Sequence, residues 1–173
     1  MLANYLFMML SGHDTDTSLK AHFIGSMSDR DVEFNVVDTK TKKIIDDFGT
    51  WSTNGNIDVS FPIIRKSVYR VRISSYGMLT HAFLIEMTPG RSVNMGNVNA
   101  FLGDVNGDNL IDQRDIYLIK KYKGVKKGSK RWYFPYDEDD CSGRDCDFNN
   151  DDVVDYKDLR VAYDNLGKRG SRK

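Results

Sequence analysis

Oxygen-bearing side chains recur at positions 1, 3, 5, 9 and 12 of two twelve-residue stretches near the end of this chain. The first offers Asp104, Asn106, Asp108, Asp112 and Asp115, the second Asp147, Asn149, Asp151, Asp155 and Asp158. Position 7 is aliphatic in both, Leu110 and Val153, and would contribute its backbone carbonyl. A hard cation such as Ca²⁺ takes roughly six to eight oxygens, and a loop of this length can deliver them from these positions. One such stretch can arise by chance in an acidic segment. Two in identical phase, each followed by a helix-like run, predict two bound Ca²⁺ ions. Each loop collects four carboxylates and one amide, whose mutual repulsion would splay it when empty. Cation binding therefore adds directly to folding free energy, and without Ca²⁺ this half of the chain is expected to be partly disordered.

The elements around the loops narrow the class. Position 12 is Asp in both copies rather than the longer Glu of an EF-hand sensor, and no helix leads into either loop: Gly96–Gly103 reads as strand and turn. A loop–helix unit that lacks the entering helix and is duplicated resembles a dockerin. The resemblance covers Leu102 to Leu166 and is closest from Gly103-Asp104-Val105-Asn106-Gly107-Asp108 through Ile119-Lys120-Lys121-Tyr122. It implies a non-catalytic role: binding a cohesin domain on a scaffold or cell-surface anchoring protein of a cellulosome-producing anaerobic bacterium, outside the cell. Plant polysaccharide would then be met only indirectly. The residues it assigns to the cohesin are Gln113, Arg114, Ile116, Tyr117, Lys120 and Lys121 in one copy and Tyr156, Lys157, Leu159, Arg160 and Tyr163 in the other. Tyrosine and arginine are among the types that dominate interface energetics.

Three departures from the dockerin pattern matter. Position 6, often Gly, is Asn109 and Asp152, the residues that best tolerate a left-handed backbone. The copies start forty-three residues apart, at Asp104 and Asp147, because 123–146 is an insertion, read as solvated. Positions 10, 11, 17 and 18 differ between copies (Gln113, Arg114, Lys120 and Lys121 against Tyr156, Lys157, Tyr163 and Asp164), which predicts one dominant binding orientation. Within the helices, Ile116, Leu118 and Ile119 form one apolar side and Leu159, Ala162, Tyr163 and Leu166 the other.

Residues 1–99 read as all-β. Val32, Phe34 and Val36 alternate with polar residues, and Tyr69, Val71 and Ile73 oppose Val68 and Arg70. Further strands are expected at 19–24, 43–48, 57–61, 81–87 and 92–98, separated by the turn signals Asn54-Gly55, Tyr76-Gly77 and Pro89-Gly90. Short strands at this spacing predict an immunoglobulin-like sandwich. Running straight into Gly103-Asp104, the segment from Tyr69 through Asn94-Met-Gly-Asn-Val98 resembles the X-module that precedes some dockerins. The division is therefore 1–99 as X-module and 100–173 as dockerin, two modules packed together because almost no linker separates them.

Composition removes other classes. Lys and Arg total 25, as do Asp and Glu, which argues against a nucleic-acid partner. No run approaches the length of a membrane span. Met1–Leu10 is apolar but lacks a basic n-region, so it reads as a first strand. The three histidines lie in unrelated contexts, and neither a phosphate loop nor a nucleophile elbow appears. No catalysis is expected. Cys141 and Cys146 close a short loop and are candidates for a disulfide in an exported protein; two free thiols are the other reading. Asp137–Asp140 is an acidic surface turn, and Lys168–Lys173 a frayed tail. An alternative role makes the sandwich a carbohydrate-binding module, with Trp51, Tyr69 and Tyr76 as its sugar-stacking platform and the dockerin as attachment handle.

Overall fold

The computed structural model describes residues 16–25, 30–135 and 141–171. The strands are β1 (Asp16–Ile24), β2 (Arg30–Asp38), β3 (Ile44–Ser52), β4 (Asn56–Pro62), β5 (Ser67–Ser75), β6 (Gly77–Met87), β7 (Val93–Asn99) and β8 (Leu102–Asp104), with buried residues alternating most regularly in β1, β2, β4 and β5. They form two sheets, ordered β4-β1-β7 and β3-β2-β5-β6-β8. Strand β1 runs antiparallel to β4, with Leu19 opposite Val59, and parallel to β7, with Leu19 opposite Val93. In the larger sheet Phe34 lies opposite Phe48 on one side and Ile73 on the other. All pairs in that sheet are antiparallel. The expected sandwich is therefore present, and each expected strand from residue 19 onward overlaps an observed one. The strand expected at Met1–Leu10 lies outside the described residues.

The core sits between the sheets. Leu19, Phe23, Phe34, Phe61, Val71 and Ile73 are fully buried there. Phe34, Phe48 and Phe61 form a ring cluster with centroids 5.6–6.1 Å apart. Tyr69 belongs to this core and not to a sugar platform: it is 1 % exposed, and its hydroxyl donates to the Arg65 carbonyl at 2.8 Å. A buried tyrosine must spend its O–H on a partner.

Strand β8 was not anticipated, and it abolishes any linker. Leu102 and Asp104 pair with Met78 and Gly77 of β6, so the larger sheet runs directly into the first loop, whose position 1 is Asp104. Beyond it lie helix α1 (Gln113–Tyr122), the short helix α2 (Lys130–Tyr133), a 3₁₀ turn (Gly143–Cys146) and helix α3 (Tyr156–Asp164). Helix α1 buries Ile116, Ile119 and Tyr122, and α3 buries Ala162. Tyr163 and Leu166, expected on the packed stripe, are exposed instead, because α3 turns only a narrow side to α1 and β8.

The insertion is less solvated than its charge suggested. Trp132, Cys141, Ser142, Gly143 and Cys146 are buried, and a Cβ on Gly143 would come within 2.5 Å of Val125. One tryptophan anchors a segment whose lysines face water. The acidic turn Asp137–Asp140 lies outside the described residues.

Candidate metal centre

The two loops share one hydrogen-bond scheme, built from the same positions. One oxygen of the first aspartate accepts the position-6 N–H, Asp104 from Asn109 at 2.9 Å and Asp147 from Asp152 at 3.1 Å. The position-3 amide oxygen accepts the position-5 N–H at 3.0 Å in both. The last aspartate, fully buried, takes the N–H of positions 2, 3 and 9. Those distances are 2.9, 3.2 and 2.8 Å at Asp115 and 2.8, 3.4 and 2.8 Å at Asp158. Position 9 doubles as helix N-cap: Asp112 and Asp155 each accept the N–H two residues on at 2.7 Å. Positions 4 and 6 are left-handed in both loops, at Gly107 and Asn109 and at Asn150 and Asp152. Asn and Asp thus do close the turn where glycine was missing.

One atom in each loop is left over. Asp104 and Asp147 are each 4 % exposed, and the Oδ1 of each is buried with no hydrogen-bond partner. An unpaired carboxylate oxygen in such a place is costly unless something cationic meets it. Burial pushes the Asp104 carboxyl up to about 6, and burial likewise raises Asp115, Asp147 and Asp158. The donor set is mixed and not a ready-made carboxylate cage: among the described residues no three His, Cys, Asp or Glu side chains form a metal-binding group. A cation here would also use the position-3 amide oxygen and the position-7 carbonyl, which is the chemistry of Ca²⁺. On these grounds the residues fit that ion.

A basic residue at position 11 guards each loop. Arg114 reaches Asp108 at 2.7 Å and Asp112 at 2.9 Å; Lys157 reaches Asp151 at 2.5 Å and Asp155 at 4.0 Å. Hydrogen bonds from these cations hold Asp112 and Asp151 below the usual carboxylate range. Both residues, assigned by resemblance to a partner surface, are thus engaged within their own loops.

The loops clasp one another's helices reciprocally. After α1, the Gly124 N–H donates to Val154 and the Val154 N–H donates to Val125, at 2.8 and 2.9 Å. After α3, the Gly167 N–H donates to Ile111 and the Ile111 N–H donates to Lys168, at 2.8 and 3.1 Å. Gly124 and Gly167 both have positive φ, which turns the chain back after each helix. Bridges at Lys126–Val153 and Leu110–Arg169 complete the pair. The tail is consequently ordered through Ser171 and not frayed: the Ser171 N–H donates to the Thr80 carbonyl at 2.8 Å, and its hydroxyl accepts the Ala82 N–H at 2.9 Å.

Both loops are also fastened to the sandwich. The Asn109 side chain accepts the Thr80 N–H and donates to the Ser171 carbonyl, each at 2.8 Å. In the second loop Phe148 is fully buried, against Gly77, where a Cβ would approach its ring to 2.8 Å. Arg30 donates to the carbonyls of Asp147 and Phe148 at 3.0 Å and of Tyr76 at 3.1 Å. Arg30, Asn109 and Phe148 were missed as functional residues by sequence reasoning, because nothing local marks a residue whose partner lies tens of positions away.

Among the remaining expected contact residues, Gln113, Tyr117, Lys120, Lys121, Tyr156, Arg160 and Tyr163 are exposed and Leu159 is half-buried. Lys120 Nζ lies 5.7 Å from the Tyr163 ring, joining the two helices' outer sides. Ile116 is the exception: at 1 % exposure it belongs to the buried core cluster and is unavailable to a partner. Cys141 and Cys146 stand as two buried free thiols, not a disulfide. Their mutual hydrogen bond and burial raise the Cys146 thiol, and the Cys141 carbonyl accepts the Tyr122 hydroxyl at 2.5 Å.

No family model matches the chain, and no curated protein matches it. Its fold is similar to that of a chain in a type II cohesin–X-dockerin complex from Acetivibrio cellulolyticus with a mutated C-terminal interface. The TM-score is 0.60 at 16 % identity, covering 89 % of this chain and 97 % of that one. A companion complex with a mutated N-terminal interface gives a TM-score of 0.59 at 16 % identity, covering 90 % and 97 %. At this identity the likeness concerns the fold, and it spans sandwich and loop–helix region alike. No helix among the described residues is long and apolar enough to cross a membrane.

Proposed function

We propose that this chain is a non-catalytic assembly module. Its loop–helix half is a Ca²⁺-dependent dockerin that binds a cohesin on a scaffold or cell-surface anchoring protein, outside a cellulosome-producing cell, and its sandwich is an X-module that braces it. The observation that carries this reading is the duplicated loop, in which the same buried Asp oxygen is left without a partner at the same position twice. The metal ligands would be Asp104, Asn106, Asp108, Leu110, Asp112 and Asp115 in one loop and Asp147, Asn149, Asp151, Val153, Asp155 and Asp158 in the other. Bound Ca²⁺ would neutralise the buried acids and hold each helix N-terminus in place. The fold likeness to chains of cohesin–X-dockerin complexes supports the partner class. The cohesin would meet the outer sides of α1 and α3, through Tyr117, Lys120 and Lys121 together with Tyr156, Arg160 and Tyr163. Lys120 and Lys121 have no counterpart of like charge at Tyr163 and Asp164, which supports a single orientation.

Calorimetry against a panel of cohesins of different types, in Ca²⁺ and again in chelator, tests the reading. One-to-one binding to one class that vanishes in chelator is expected. Absence of binding across the panel in Ca²⁺ would overturn the cohesin assignment, and persistence in chelator would overturn the role given to the loops.

A further inference from the structure

A cleft of about 1,090 Å³ lies between the sandwich, the insertion and the two loops. Its size exceeds that of common small-ligand pockets. Three aromatic rings from unrelated segments line it while keeping half their surface open: Trp51 at 54 %, Tyr76 at 52 % and Tyr133 at 55 % exposure. None is a core residue displaced to the edge. Trp51 lies on the outward side of β3, opposite Asp31 of β2, while its neighbour Ser52 is fully buried. Tyr133 closes α2, whose adjacent Trp132 supplies the anchor. Tyr76 sits in the β5–β6 turn and lines the cleft together with Asp145 of the insertion. Sequence, turn and insertion thus each bring one ring to one place.

The polar groups between the rings decide the ligand class. Asp31, Glu33 and Asp145 line the same cleft with Arg30, Lys127 and Arg144, and the loop residues Asp104, Asp147 and Asp152 add three more carboxylates. Carboxylates at the wall disfavour a polyanion, and an apolar ligand would leave these groups stripped of water without partners. Flat rings interleaved with carboxylate and guanidinium groups suit a neutral polyhydroxylated chain. Its sugar C–H faces lie on aromatic rings while its hydroxyls donate to carboxylates and accept from guanidinium. We infer that this cleft binds a neutral polysaccharide, with Trp51 and Tyr133 as stacking platforms. The carbohydrate role attached to the sandwich by sequence thus moves to a joint site that the insertion completes, and Tyr69 drops out of it.

Native affinity electrophoresis of the whole chain in Ca²⁺, through gels containing xylan, mixed-linkage β-glucan or glucomannan, tests the inference. Calorimetry with the matching hexasaccharide gives the affinity. Retardation in at least one gel is expected, with Trp51→Ala and Tyr133→Ala each weakening binding about tenfold or more. Ile64→Ala, at an exposed apolar residue outside the cleft, should leave it unchanged. Circular dichroism of each variant separates lost binding from lost fold. No retardation in any gel, or retardation that both aromatic variants retain, would overturn the site. Cohesin is absent from these assays, so their failure leaves the docking reading standing, and failure of cohesin binding leaves this one standing.

Discussion

Asn109 and Asp152 occupy the same loop position with the same backbone, φ +67° in each, yet their side chains do different things. Replacing either by Gly keeps the left-handed turn and relieves a modest backbone cost. At Asn109 the substitution also deletes the bond from the Thr80 N–H and the bond to the Ser171 carbonyl. Two neutral hydrogen bonds are worth about 2 kcal/mol together, and relief of the backbone returns under ~1 kcal/mol. Asn109→Gly should therefore lose about 1–2 kcal/mol and loosen the tail from β6. At Asp152 the side chain pairs only with Lys127 at the surface, both more than half exposed, so Asp152→Gly should match the parent. Urea unfolding in saturating Ca²⁺ measures the difference, and hydrogen exchange at the Thr80 amide locates it. Equal midpoints for Asn109→Gly and the parent, with unchanged Thr80 protection, would refute the claim that this residue rivets the loop to the sheet.

The metal loops should reverse the pH dependence of stability. Asp104 titrates near 6 when folded against 3.8 as its ordinary value, so the folded form holds more protons between these values. In chelator, the contribution of Asp104 is full below about 4 and is lost as pH rises through about 6. In Ca²⁺ the ionised form is the ligand, so the cation's added stability should fade as pH drops through the same range; thermal melts in both buffers would reveal parallel curves if this is wrong. Arg114→Ala with Lys157→Ala removes the cation beside each donor set, and should raise Ca²⁺ affinity several-fold, less so in high salt, by chelator competition. Phe148→Ala empties a fully buried site between the second loop and Gly77 and should cost about 3–5 kcal/mol by denaturant unfolding. An unchanged midpoint there would mean the loop does not pack on the sandwich.

Much of this molecule was legible because its signals are local. A twelve-residue loop carries its donors at fixed spacing, and its N-cap and position-12 aspartate bond within the same twelve residues. The strands announce themselves by alternation, which burial of one face imposes. Local pattern leaves a residue's fate open where it depends on a distant partner. Tyr69 has the same local pattern whether it faces a sugar or the core. Ile116 lies on a helix side that is exposed or buried according to what packs there. The basic tail after Leu166 looks unattached until Thr80 and Ile111 receive it.

The sequence by itself determined two matched acidic loops, the helices they start and a sandwich ahead of them, since each follows from the spacing of neighbours along the chain. Tertiary structure alone decided that β8 would fuse sheet to loop, and that each loop would clasp the segment after the other's helix. It also decided that Arg30, Asn109 and Phe148 would bind the halves into one body, and that three separated rings would meet in one cleft. Those contacts join residues far apart in the chain, and long-range packing, not local spacing, selects them.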